Sequence, residues 1–256
     1  MDLETTVGLS EKLLGFAEQL SPNERDALKF QLSVASANEL ENDFEISHSP
    51  EKRSRFSEFL RCTLAIQPFR ERVPKYGIVY RGRPDFMTDD LVQQLRAEAL
   101  SFRPQAKENY EQFIVTVDTP DDSTVCEKLA ASDDLYRLVT QHAGPCQHSY
   151  ISSYIYYEVA GQCSKPHVDN AFTSVTVMIG LRNDQLDPAA PSSTSIVYWP
   201  DSPPMEYRLE PGELAIFFGV CVLHGRSPIS AGETVHSLLL SFQPRMDNEI
   251  GSNASS

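Results

Sequence analysis

Basic residues are scarce in this chain: Lys and Arg total 22 against 36 Asp and Glu, a formal net charge of −14. That balance argues against a general phosphate-backbone binder, which needs a cationic footprint; no nucleic-acid partner is expected. Apolar runs stay too short to span a bilayer. The start, Met-Asp-Leu-Glu-Thr-Thr, lacks the basic and apolar regions of a signal peptide. A cytoplasmic protein with no membrane partner is therefore expected. Cysteine is sparse, with five residues, an odd number, and no C-x-x-C pair. Reduced thiols fit that count better than a disulfide frame. No Gly-rich phosphate loop and no nucleophilic-Ser elbow is present, so nucleotide and hydrolase chemistry have little support.

The chain then divides by pattern. Leu9, Leu13, Leu14, Phe16, Ala17 and Leu20 recur at helical spacing. Ser21-Pro22-Asn23-Glu24 is a helix start, with Ser as the cap and Glu three residues later. Residues 1–45 read as a helical extension that packs on the core, binds a partner or makes a homodimer. Residues 46–75 read as linker and helix. The linker character spans 37–55, and Phe56, Phe59, Leu60 and Leu64 form the helix face. From residue 76 to 247 one larger domain is expected. Strands near 76–80 and 112–118 alternate with helices started by Thr88 and Ser132. After His148 nearly everything reads as β, in short strands separated by Pro- and Gly-rich turns. The fold class is α+β, mainly β in its C-terminal half, and the strands imply a sandwich or jelly-roll barrel. The tail 248–256 is polar and expected to be disordered.

Chemistry concentrates in Pro166-His167-Val168-Asp169-Asn170. Side chains two apart on a strand share a face, so His167 and Asp169 can grip one metal ion if a third ligand arrives. His224, 57 residues on, follows the apolar run 213–219 and is that candidate. Two His and one carboxylate with open coordination positions are the facial triad of non-haem Fe(II) oxygenases. His48, His142 and His148 read as solvent-facing or capping residues. Cys163 and Cys221 read as buried small residues, and Tyr154, Tyr156 and Trp199 as pocket or core aromatics. Asn170 or a Tyr from 150–157 is a candidate to fix ligand orientation. The 184–195 loop is a candidate cover for the barrel mouth.

Tyr157-Glu-Val-Ala-Gly161-Gln162 followed by Pro166-His167-x-Asp169 resembles the Y-x-V-x-G-Q…P-H-x-D stretch of prolyl-4-hydroxylase-like Fe(II)/2-oxoglutarate dioxygenases. Pro211-Gly212 to Phe217, Leu223-His224-Gly-Arg-Ser-Pro228 and Ala231-Gly232-Glu233 resemble the later passages of that family. The resemblance covers about residues 150–243 and implies a double-stranded β-helix. It implies Fe(II) held by His167, Asp169 and His224, with 2-oxoglutarate and O2 as cosubstrates. The implied reaction couples decarboxylation of 2-oxoglutarate to oxidation of an unactivated C–H bond in a small molecule or a peptide residue. Retention of Asp169 favours hydroxylation over halogenation.

The family usually carries Arg or Lys about ten residues after the distal His, to hold the far carboxylate of 2-oxoglutarate. Here that region reads Glu233-Thr234-Val235-His236. A buried carboxylate without a partner is costly. Arg226 is the first substitute, and His236 with Thr234 the second; Arg182 and Arg245 are further off. Tyr156 completes the candidate cosubstrate set. Two other functions stay open: a cupin-like metal oxygenase that does not use 2-oxoglutarate, and a non-catalytic binding protein on the same fold.

Overall fold

The computed structural model describes residues 11–21, 24–25, 27–28, 31–32, 50–67, 69–109, 114–118, 123–169 and 173–245. The expected tail 248–256 and most of the 1–45 extension lie outside these residues. Within the extension, residues 11–17 are helical. Ser21 and Glu24 make the reciprocal cap read from the sequence: Ser21 N–H donates to Glu24 Oε2 at 2.9 Å and Glu24 N–H to Ser21 Oγ at 3.4 Å.

Helix α1 (Pro50–Ala65) leads into strand β1 (Ile78–Gly82). Helix α2 (Asp89–Phe102), strands β2 (Lys107–Asn109) and β3 (Ile114–Asp118), and helices α3 (Val125–Ala130) and α4 (Asp133–Ala143) follow. The remaining elements are strands β4 (Cys146–Tyr157), β5 (Ser164–His167), β6 (Val175–Gln185), β7 (Ser195–Val197), β8 (Met205–Tyr207), β9 (Leu214–Phe217), β10 (His224–Arg226) and β11 (Glu233–Pro244). Positions 50–55, read as linker, belong to α1 instead. Pro50 opens the helix because its fixed φ suits the first turn, where no N–H partner is needed. Thr88 Oγ1 accepts from Leu91 N–H at 3.2 Å and Ser132 Oγ from Leu135 N–H at 3.3 Å, so both expected caps form.

The strands make two antiparallel sheets. One has seven strands in the order β1-β9-β6-β11-β4-β3-β2; the other has four, β5-β10-β7-β8. Alternation gives each strand of the large sheet two faces. On β4 and β11, Tyr154, Tyr156, Leu238, Leu240 and Phe242 turn outward into the main core. There they meet Val92, Leu95 and Ala99 of α2, Leu129 of α3, and Leu135 and Val139 of α4. Each such Leu or Val contributes about 1.5–3 kcal/mol by leaving water, which fixes the three helices on that face. The opposite face, with Ile155, Tyr157, Ser237 and Leu239, looks into the space between the sheets. Leu60 of α1 packs with Ile196, Tyr198 and Leu223 of the small sheet.

The turn before β9 has the sequence chemistry it requires. Gly212 sits at φ 87°, after Pro211, and Glu213 N–H closes the turn on Glu210 O at 2.9 Å. Pro then Gly at the two central positions is the signature of a type II turn, which needs a positive φ at its second central residue. The architecture is the double-stranded β-helix that the sequence resemblance implied.

Candidate metal centre

Strand pairing brings the ligands together. His167 ends β5, His224 begins β10, and the two are directly opposite in the antiparallel register. Their rings lie 4.5 Å apart between centroids. Asp169 is past the end of β5, where its N–H donates to Gly219 O at 3.0 Å. Its Oδ1 lies 3.7 Å from His167 Nε2 and 3.5 Å from His224 Nε2. All three donor atoms are within 4.8 Å of one another, and they are the one such His/Cys/Asp/Glu group among the described residues. Two ligands on one ion can span about 4.2 Å at metal–nitrogen distances near 2.1 Å, so both carboxylate–imidazole pairs fit a shared ion.

The surroundings orient these donors. His167 Nδ1 is 2.7 Å from Lys165 O and His224 Nδ1 is 3.0 Å from Val222 O. Those contacts put the proton on Nδ1 and leave each Nε2 lone pair free. Thr176 Oγ1 donates to Asp169 Oδ2 at 2.5 Å, leaving Oδ1 turned to the histidines. Gly219 completes the arrangement through what it lacks. A Cβ there would overlap Asp169 Oδ2 and stand 2.7 Å from Asp169 Cγ and 2.9 Å from Thr176 Oγ1.

Electrostatics follow from burial and mutual charge. Burial, reinforced by the neighbouring His224, pushes His167 down to about 4, so it is neutral at ordinary pH. For His224 burial acts downward, but the charge and hydrogen bond of Asp169 outweigh it and raise its pKa. For Asp169 burial acts upward and is outweighed by His224, His167 and the Thr176 hydroxyl, so the carboxyl stays below its usual range. An ionised carboxylate beside imidazoles with free Nε2 atoms is a donor set suited to Fe(II).

A cavity of about 240 Å³ runs inward from these ligands. Two residues along β10 from His224 is Arg226, whose strand partners are Ser164 and Ser195. Arg226 is 6% exposed, and its guanidinium donates to Ser193 Oγ at 2.9 Å and Ser195 Oγ at 3.2 Å. It lies over the Tyr157 ring at 5.4 Å. Burial lowers the Arg226 pKa, yet a guanidinium stays cationic in proteins. Burial pushes the Tyr157 and Tyr207 phenols up to about 12, which keeps both as neutral donors. Ile155, Met178 and Leu239 supply apolar wall between the two ends.

Of the sequence-derived candidates, His167, Asp169, His224 and Arg226 line this cavity. Tyr156, Thr234 and His236 do not. Tyr156 and His236 are strand partners on the helix-covered face. The Tyr156 hydroxyl donates to Ala99 O at 2.7 Å, and His236 Nε2 is 2.9 Å from Glu158 Oε1. Thr234 is two residues from His236 and shares its face, away from the cavity. Tyr157, one residue on from Tyr156, is the tyrosine that faces inward. Trp199 packs against the main core, and the Tyr154 hydroxyl donates to Glu98 Oε1 at 2.6 Å. Arg182 pairs with Asp184 and Arg245 bonds Gln147. Asn170 and His48 lie outside the described residues. His142 is beside the Tyr80 ring and His148 between Tyr150 and Phe242. All five cysteines are buried and none is in a disulfide. From the 184–195 loop, Ser193 meets Arg226 at the inner end of the cavity. Thr176, Gly219, Ser164, Ser195 and Tyr207 carried no motif strong enough to single them out beforehand.

Sequence comparison finds no match among protein-family models or curated proteins. Solved structures do match. A prolyl-4-hydroxylase from Pseudomonas putida superposes with a TM-score of 0.53 at 18% identity, over 66% of this chain and 94% of that one. The α-ketoglutarate-dependent epimerase SnoN of nogalamycin biosynthesis gives 0.55 at 15% identity, over 69% and 80%. A prolyl hydroxylase from Trichoplax adhaerens, solved with a hypoxia-inducible-factor peptide, gives 0.52 at 13% identity, over 82% and 99%. The chain thus has the double-stranded β-helix fold of the prolyl-4-hydroxylase-like 2-oxoglutarate/Fe(II) oxygenases.

Proposed function

We propose that the protein is an Fe(II)- and 2-oxoglutarate-dependent oxygenase that oxidises an unactivated C–H bond. The observation that carries this reading is one cavity with a two-His, one-carboxylate cluster at its outer end and a buried guanidinium at its inner end. The two ends are two residues apart on β10, about 6.8 Å of strand. The terminal carbons of an extended five-carbon dicarboxylate are about 5 Å apart at ordinary C–C lengths. A 2-oxo acid at the metal would therefore present its far carboxylate to Arg226.

His167, Asp169 and His224 would hold the iron. That leaves about three coordination positions, enough for the 2-oxo acid and O2. When bound, the iron supplies O2 activation coupled to decarboxylation of the cosubstrate. The chain itself does the positioning. Arg226 offers charge-assisted hydrogen bonds to the far carboxylate, and the Tyr157, Tyr207, Ser164 and Ser195 hydroxyls offer more. Ile155, Met178 and Leu239 exclude water along the cosubstrate's methylenes. Thr176 and Gly219 keep Asp169 aimed at the ion. Neighbours on this fold take a peptide in one case and belong to nogalamycin biosynthesis in another, so the substrate is framed as a peptide residue or a small molecule. Five thiols outside any disulfide fit a reducing, cytoplasmic compartment.

The test is an anaerobic titration of the purified protein with Fe(II) and then 2-oxoglutarate, followed by visible absorption. A charge-transfer band that saturates with 2-oxoglutarate is expected. Arg226→Ala removes a buried charged partner, a loss of about 2–5 kcal/mol, so its 2-oxoglutarate Kd should rise about thirtyfold or more. Fe(II) binding without any effect of 2-oxoglutarate would replace this reading with a cupin-like oxygenase.

A further inference from the structure

Behind the inner end of the cavity, on the far side of Arg226, lies a charge that the functional reading has not used. Glu233 is nine residues after His224, in the stretch where the family resemblance calls for a cation. It is 1% exposed. Its carboxylate accepts from Ser193 N–H at 2.8 Å and 3.1 Å, from Ser193 Oγ at 2.9 Å and from Ser230 N–H at 3.0 Å. Three donors converge on it, Ser193 N–H reaching both oxygens, and an acceptor-only group is what such a set suits. The same Ser193 Oγ accepts from Arg226 Nη1 at 2.9 Å. Two 2.9 Å bonds sharing one oxygen place the guanidinium nitrogen and Glu233 Oε1 no more than 5.8 Å apart. The cation of this end is on β10, and β11 carries an anion beside it.

We infer that Glu233 is a positioning residue that sets how strongly the pocket holds a dianionic 2-oxo acid. It does so in two ways. Through Ser193 it fixes the direction of the Arg226 fork. Through its charge it offsets part of the guanidinium field, so the far carboxylate of cosubstrate or product is held less tightly than a lone buried Arg would hold it. A second cation, Arg208, lies near enough to act on Arg226, but Asn183 Oδ1 already accepts from it at 2.8 Å. Weaker hold serves turnover, because the dicarboxylate product occupies the same inner end and must leave.

The inference rests on the 2-oxoglutarate reading and is tested by binding alone. Calorimetry on the anaerobic Fe(II) protein would compare 2-oxoglutarate with 2-oxovalerate, which lacks the far carboxylate. Glu233→Gln keeps the side-chain shape and removes the charge. The preference for 2-oxoglutarate over 2-oxovalerate should rise about tenfold, and succinate should bind more tightly by a similar factor. A merely structural role for Glu233 would weaken both ligands together. Ser193→Ala keeps the charge and removes the bridging hydroxyl that aims the fork, and its preference should fall, by about threefold. An unchanged or lowered preference in Glu233→Gln, or a tenfold rise in Ser193→Ala, overturns the inference. If Glu233→Gln does not fold, Glu233→Ser, which removes the charge and keeps a hydroxyl, takes its place with the same expected and overturning results. If the wild-type protein shows no preference for 2-oxoglutarate, the functional reading falls first and takes this one with it.

Discussion

Replacing Gly219 with alanine would put a methyl group into space that the Asp169 carboxylate already fills. The added Cβ would overlap Oδ2 and stand 2.7 Å from Cγ, with Thr176 Oγ1 at 2.9 Å. Carbon–carbon contacts settle near 3.5–4.0 Å, so the carboxylate must retreat by about 1 Å. Metal–ligand bonds tolerate only about 0.2 Å, so one of three protein ligands is lost. Outer-shell losses already cost about 10–100-fold in metal affinity. Displacing a ligand should therefore cost about a hundredfold or more, near 2.7 kcal/mol. Overpacking costs the fold itself about 1–3 kcal/mol, within the margin of a medium-sized domain. The assay is a calorimetric Fe(II) or Co(II) titration of Gly219→Ala beside wild type, with far-UV circular dichroism to show that the chain is folded. A folded variant that binds metal within about threefold of wild type would refute the argument that Asp169 is a ligand in the observed geometry.

Thr176→Val is nearly isosteric and removes a side-chain donor to Asp169 Oδ2. It should weaken Fe(II) binding by about 10–100-fold and cost the fold about 1–3 kcal/mol through the unpaired carboxylate oxygen, by the same titration and a denaturant melt. Fe(II) affinity should also depend on pH with a defined sign. His224 has a raised pKa and must be neutral to bind, so affinity is flat above that pKa and falls about tenfold per pH unit below it, with one proton released per metal. A second proton joins only near pH 4, where His167 titrates; potentiometric proton counting checks both steps. His236→Ala should destabilise the fold by about 1–3 kcal/mol through loss of the buried contact to Glu158. It should leave 2-oxoglutarate affinity within about twofold, because the side chain faces the helices; equilibrium unfolding and calorimetry read the two effects separately.

Local chemistry along the chain was enough to place most elements. Thr88, Ser132 and the Ser21–Glu24 pair mark helix starts because their oxygens accept from N–H groups a few residues away, an interaction written in adjacent letters. Pro211-Gly212 marks its turn for the same reason. The spacing of His167 and Asp169 and the strand before His224 brought out the three candidate ligands, since metal-binding residue types stand out by chemistry alone. Strand β2 escaped notice because Lys107-Glu-Asn109 carries no apolar alternation.

What the letters could not decide was which face of a strand looks inward. Tyr156 and Tyr157 are equally plausible by type, and so are Thr234 and Glu233. A shift of one residue moves a side chain from the cavity to the helix-covered face, and only the pairing of β4 with β11 and the packing of α2 against Tyr156 settle it. The same holds for contacts made through space. Gly219 lies 50 residues from Asp169 in the chain, and Arg226 meets Glu233 through Ser193, 40 residues from Glu233. Sequence determined which groups can bind a metal or an anion. Tertiary packing alone decided which of them share one cavity, because proximity across a sheet is set by register and burial rather than by any residue's own chemistry.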